Sequence, residues 1–234
     1  MEQGVGYIKF VDGIKACIPT MFGYVGIGFA AGVVEKGVGL SFLEIALLSL
    51  IVYAGSAQFI ICALLAVHAP LGTMIATVFL VNLRHLLMSL SIAHYFKENH
   101  WLSNLGLGSL LTDESYGVLV TALTKHQVRP NWLHGLNLSA YVVWLFANLL
   151  GGGFGSLIPN PEKLGLDFAL TAMFLGLWLF QLRSFLKNHF RKTIIILGVI
   201  LGTLILLLSI TSAEVAVIGA TLLGCLVGGE LQDA

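Results

Sequence analysis

Charged side chains are scarce in this chain: 12 Lys and Arg with 12 Asp and Glu make up 10% of its 234 residues. Soluble domains carry about 25% charged residues, so the sequence lacks the polar surface of a water-exposed globule. The two signs cancel to a formal net charge of zero. With no basic run beside them, they leave no footprint for a nucleic-acid partner. Cysteine is sparse as well. Cys17, Cys62 and Cys225 fall inside apolar runs at no motif spacing, which speaks against a disulfide framework or a thiolate metal site. Catalytic signatures are missing: there is no HExxH, GxSxG, P-loop or Cys/His metal pattern. No enzyme, metal or cofactor is therefore expected.

Apolar residues fill the space that charges leave, at 57% of the chain and a mean hydropathy of +0.93. The runs are long rather than short and alternating, which favours helices over a barrel. The expected fold is all-α, a polytopic transmembrane bundle of seven or eight spans in a single integral membrane domain, 1–234. Eight segments can be marked, at 14–34, 43–67, 71–96, 104–124, 132–157, 166–186, 193–211 and 213–229. The first reads as a retained helix, since no small-residue cleavage site follows it.

Charge bias supports this count. With a cytoplasmic N-terminus and eight crossings, Lys9, Lys15, Lys125, Arg129, Arg183, Lys187, Arg191 and Lys192 face inward, against Lys36, Lys97 and Lys163 outward. That obeys the positive-inside rule, and it requires the fourth segment to cross. An internal repeat is visible at an offset of 123 residues. Leu43-Glu44-Ile45-Ala46-Leu47 aligns with Leu166-Asp167-Phe168-Ala169-Leu170, Gln58 with Gln181, and Gly28 and Gly32 with Gly151 and Gly155. It would relate spans one and two to spans five and six. Transporters built from repeats place substrate at the repeat interface.

Four polar constellations sit where lipid is expected. Tyr53-Ala54-Gly55-Ser56-Ala57-Gln58-Phe59 loosens the second span with small residues; either the helix is interrupted and its backbone grips a carboxylate or an ammonium, or the segment is close packing with an interhelical Gln58 hydrogen bond. Asn82-Leu83-Arg84-His85 centres the third span. Insertion scales put a central arginine at about +2.5 to +3.5 kcal/mol, so Arg84 needs a partner or a water-filled cavity. Arg84 can grip a carboxylate and His85 can carry a proton, or the group is a structural ion pair. Thr112-Asp113-Glu114 is the natural counter-charge, and two adjacent acids imply that one is paired or protonated, or else the segment dips only partly into the membrane and the acids sit in water. Pro19 marks a helix kink in the first span, which also holds Gly23 and Gly26, while Gly28 and Gly32 permit close packing, with a direct substrate contact as the secondary reading.

Taken in order, Pro19 to Gly32, Tyr53 to Phe59, Asn82 to His85, Thr112 to Glu114 and Leu166 to Phe174 resemble the AzlC family. These are large subunits of bacterial branched-chain amino acid exporters. The resemblance covers nearly the whole chain. It implies proton-driven export of leucine, isoleucine or valine, and a separate small hydrophobic subunit of the AzlD type. It also implies a multi-pass place in the bacterial inner membrane. The residues themselves assign Ser56, Gln58, Asn82 and Arg84 to substrate binding, and His85, Asp113 and Glu114 to proton coupling. A passive channel and a scaffold for a larger complex are the alternatives.

Overall fold

The computed structural model describes residues 9–124, 127–157, 168–211 and 213–233, and it is helical throughout. The helices are α1 (Phe10–Gly37), α2 (Phe42–Leu47), α3 (Gly55–Ala66), α4 (Leu71–Ala93), α5 (Trp101–Ser109), α6 (Asp113–Leu123), α7 (Pro130–Phe154), α8 (Ala169–Leu208) and α9 (Ala213–Asp233). Among the described residues, four stretches are long and apolar enough to cross a membrane: Phe10–Gly37, Leu71–Phe96, Pro130–Phe154 and Phe190–Leu208. The chain divides into two compact units, Met1–Ala172 and Met173–Ala234. In the second, α9 runs antiparallel to α8: Lys192 donates to the Leu231 carbonyl at 2.5 Å, and Gly224 packs on Ile200.

The axis of the first unit is the pair α1 and α7. A Cβ on Gly13 would strike the Trp132 carbonyl, and one on Gly32 the Asn148 carbonyl. In return, Gly135 meets the Phe10 carbonyl and Gly151 the Phe29 carbonyl. Contacts at both ends in the same order make the helices parallel. Glycine lets their backbones touch where any side chain would hold them apart. This gives Gly28 and Gly32 the packing role that the sequence suggested, with Gly151 as their counterpart on α7. α1 continues on both sides of Pro19, which leaves the Lys15 carbonyl without its helical donor.

The second apolar segment does not cross as one helix. α2 extends as a π-helical stretch, Leu48–Val52, and the chain then breaks. Tyr53 takes a left-handed conformation (φ 40°, ψ 47°) and Ala54 is extended. Ile45 packs on Gly152, near the C-terminal end of α7, whereas Leu50 and Tyr53 lie at Tyr141, nearer its middle. Past the break, Gln58 is back at Trp144 and Asn148. α2 therefore descends from the face where α1 and α7 end, and α3 climbs back to it.

The fourth segment behaves the same way from the opposite face. Ser103 meets His134 at 2.7 Å and the Leu107 carbonyl accepts from Asn137 at 3.0 Å, so α5 enters beside the start of α7. Thr112, at the tip, reaches Tyr24, whose ring lies edge-on to Trp144. Leu123 must then return, because the six residues before Pro130 span at most about 20 Å. The unit is thus a helix followed by a re-entrant hairpin, twice, the second time inverted along α4.

This corrects the expectation that segments two and four span. The charge bias survives because both return: Lys9, Lys15, Lys97 and Arg129 share one face, with Lys36 on the other. Miscounting two segments had left the parity of everything after them unchanged. Segments six and seven join in the single helix α8. Of the repeat, Leu166-Asp167 lies outside the described residues, as do Lys125 and Lys163. From Ala169 onward α8 has no counterpart to the break at Tyr53.

Candidate functional site: two hairpin tips joined by Arg84

The two tips meet at α4. Arg84 Nη1 lies 3.0 Å from an Asp113 carboxylate oxygen, and its Nη2 donates to Ser56 Oγ at 2.6 Å. One guanidinium therefore ties the α3 tip to the α6 tip, using the fork that a lysine lacks. The Arg84 and Asp113 side chains keep 27% and 19% of their exposure, so the pair is part-buried between the two tips and not sealed in a core.

At the α6 tip, Thr112 forms a reciprocal capping box with Ser115, and Asp113 and Glu114 occupy the first turn. Carboxylates are favoured there by the exposed N–H groups and the helix dipole. Tyr24 on α1 donates to Glu114 at 2.7 Å and lies 2.8 Å from the Thr112 hydroxyl. The adjacent acids therefore each have a partner, Arg84 for one and Tyr24 for the other.

The α3 tip is different. Its first helical bond runs from Gln58 N–H to the Ala54 carbonyl at 2.9 Å. The N–H groups of Gly55, Ser56 and Ala57 stand ahead of the ladder, and Ala54 has no side chain to cap them. A Cβ on Gly55 would come within 2.8 Å of the Trp144 ring, so glycine is what lets Trp144 brace this end. Tyr141 stacks edge-on against Tyr53 and donates to the Leu50 carbonyl at 2.8 Å, holding the strained turn from below. Uncapped N–H groups beside an arginine suit a carboxylate.

Of the residues expected to act together, Ser56, Arg84, Asp113 and Glu114 are joined through these contacts. His85 is half-buried beside Arg84 and makes no hydrogen bond among the described residues. Asn82 Oδ1 is buried without a partner. Gln58 is elsewhere. It faces a fully buried cluster on the opposite side of α3 from Ser56, two residues on, where its amide nitrogen donates to Glu35 at 2.9 Å and its carbonyl accepts from Trp144 at 2.8 Å. Glu35, Ser49, Asn148, Tyr24 and Trp144 were not singled out in the sequence. Glu35 had a signal: with Gly28 and Gly32 it makes an i, i+4, i+7 stripe on the face that α1 packs inward.

The family described as AzlC protein matches residues 19–158, which contain both hairpins and all of α4. The chain belongs to the AzlC family. It is 30% identical over 232 residues to the inner membrane protein YgaZ of Escherichia coli (strain K12), covering 96% of this chain and 91% of that one. It is 31% identical over 223 residues to an uncharacterized membrane protein of Archaeoglobus fulgidus, covering 94% of each. The branched-chain amino acid transport protein AzlC of Bacillus subtilis (strain 168) is 28% identical over 186 residues, 78% of this chain and 72% of that one. No solved structure matches. AzlC family membership and the apolar spans make this chain a multi-pass membrane protein of a transport family, and the family points away from an enzyme.

Proposed function

We propose that this AzlC family member exports branched-chain amino acids, coupled to protons, together with a small hydrophobic subunit of the AzlD type. The observation that carries the reading is Arg84 held between Ser56 and Asp113 at the junction of the two tips. A zwitterion has the same two charges as this bridge and can replace it. Its carboxylate takes Arg84 and the free N–H groups of Gly55, Ser56 and Ala57, while its ammonium takes Asp113 and Glu114. The bridge then closes the empty site without leaving a bare charge in the membrane. Discontinuous helices that offer their N-termini to an anionic group at mid-depth serve this purpose in other transporter folds. The neighbouring His85 and Asn82 would complete the polar recess. Four bases on the face that carries the start of α1 argue for a cytoplasmic N-terminus.

The test is uptake and efflux of labelled leucine in vesicles with an imposed pH gradient, with and without the second subunit. Arg84→Ala and Asp113→Asn should each lower transport by at least about tenfold, the loss of one charge-assisted bond, while inserting normally. Full transport in both variants would remove the bridge from the mechanism. Efflux that persists after the gradient is collapsed would favour a passive channel.

A further inference from the structure

We infer that Glu35, held by Gln58 between α1, α3 and α7, carries the coupled proton, at a position separate from the substrate recess. This rests on the transport reading above and adds a site to it. Glu35 is completely buried, in the last turns of α1. One carboxyl oxygen accepts from Gln58 at 2.9 Å, and the other, Oε2, has no partner. Among the described residues, Ser49 before the break and Asn148 on α7 lie within reach of the Gln58 amide nitrogen that holds Glu35, and Cys62 is buried one turn past Gln58 on α3. None is a cation. The neighbouring Lys36 directs its stem toward Gly155 instead. A carboxylate buried among neutral partners is costly, and a proton added at Oε2 removes that cost.

Gln58 gives such a proton a mechanical consequence. Its amide nitrogen has two hydrogens and three acceptors within reach: Glu35 at 2.9 Å, Ser49 at 3.3 Å and Asn148 at 3.5 Å. An ionised Glu35 wins this competition, because bonds to charged acceptors are the stronger ones. A protonated Glu35 releases the amide toward Ser49 and Asn148. Gln58 lies two residues from Ser56, so a change in its pairing is felt at the α3 tip. It is also linked through Trp144 to Gly55 and, across the Tyr24 ring, to Glu114. The cluster therefore touches both walls of the recess without lining it.

The experiment uses the full chain in proteoliposomes and compares two leucine fluxes. In exchange at equal pH, substrate swaps across the membrane with no net proton movement. In net efflux, a pH gradient drives transport. Glu35→Gln should keep exchange within about twofold of wild type and lose the response of net flux to the gradient. Asp113→Asn should lose both. Equal gradient response in Glu35→Gln and wild type would overturn the inference, as would a wild type that exchanges leucine but ignores the gradient. Absence of leucine exchange in wild type would instead sink the transport reading, and this inference with it. Infrared difference spectra of the wild type across a pH titration give a second readout that needs no transport. They should show the carbonyl band of a protonated carboxyl that shifts in Glu35→Asp, and a band unchanged by that substitution would count against Glu35.

Discussion

The two re-entrant hairpins bring a helix N-terminus to the same place in the first unit, but they finish it in opposite ways. The α6 tip is complete in itself: Thr112 and Ser115 cap it, and Asp113 and Glu114 supply its negative charge. The α3 tip has alanine at its cap position and no acid in its first turn. Its single hydroxyl, on Ser56, accepts from Arg84. One tip is already filled with carboxylate and the other is open to one. That asymmetry gives the recess a direction. In the proposed reading, a zwitterion between the tips would have its carboxylate end at α3 and its ammonium end at α6, since the reversed pose would place like charges together.

The strongest way to break this difference is to erase it. Ser56→Asp gives the α3 tip its own acid, within reach of both the free N–H groups and Arg84. An internal carboxylate there competes with the substrate's at every encounter. A bond between charged partners is worth about 1.5–3 kcal/mol, so leucine transport should fall by about 10²-fold. Ser56→Ala, which opens the tip further, should cost much less. The pair of rates from one vesicle assay decides the matter, and equal losses in the two variants would show that the tip does not hold an anion.

Tyr24→Phe tests the other side of the comparison. It removes the donor to Glu114 and the contact to Thr112, and it keeps the ring edge-on to Trp144. Glu114 would then lose its fixed position while Asp113 retains Arg84. We expect the apparent affinity for leucine to weaken by about tenfold, the value of one hydrogen bond to a charged group, with the maximal rate little changed. A drop in rate at unchanged affinity would assign Tyr24 to the conformational step.

The sequence disclosed the partners of this site better than its path. Arg84 and Asp113 were legible because opposite charges in apolar segments must find each other or water. The hairpins were legible only as alternatives, an interrupted helix at 54–58 and a fourth segment that merely dips into the membrane. Hydropathy measures how long an apolar run is and carries no sign of direction, so 43–67 and 104–124 read as crossings. Tyr53-Ala54 has no proline to announce a break, and its left-handed turn is held by Tyr141 from a helix nearly ninety residues away. Charge bias could not expose the error, since two returning segments restore the parity that one would have disturbed. Gln58 was placed on the right segment but assigned to the recess. Two residues on α3 turn it about 200° away from Ser56 and bring it to Glu35, which was hidden beside Lys36 at what looked like the end of a span.

Thr112→Ala is the mildest of these changes and isolates what the cap itself contributes. The threonine hydroxyl accepts from Ser115 N–H at 3.3 Å, and Ser115 Oγ accepts from Thr112 N–H at 2.9 Å. Alanine removes the first bond, and with it the 2.8 Å contact to the Tyr24 hydroxyl, and leaves the second, so the box is opened without being emptied. Loss of an N-cap side chain costs about 1 kcal/mol. The change should appear as a modestly lower thermal midpoint in detergent and a transport rate within a few-fold of wild type. The α6 tip would still hold Asp113 on Arg84 and Glu114 on Tyr24, because those two contacts do not pass through the hydroxyl of Thr112. If transport collapsed as it should in Ser56→Asp, the cap and the charges would be acting as one unit. The two tips would then differ in rigidity more than in charge, and the direction assigned to the zwitterion would need a different source.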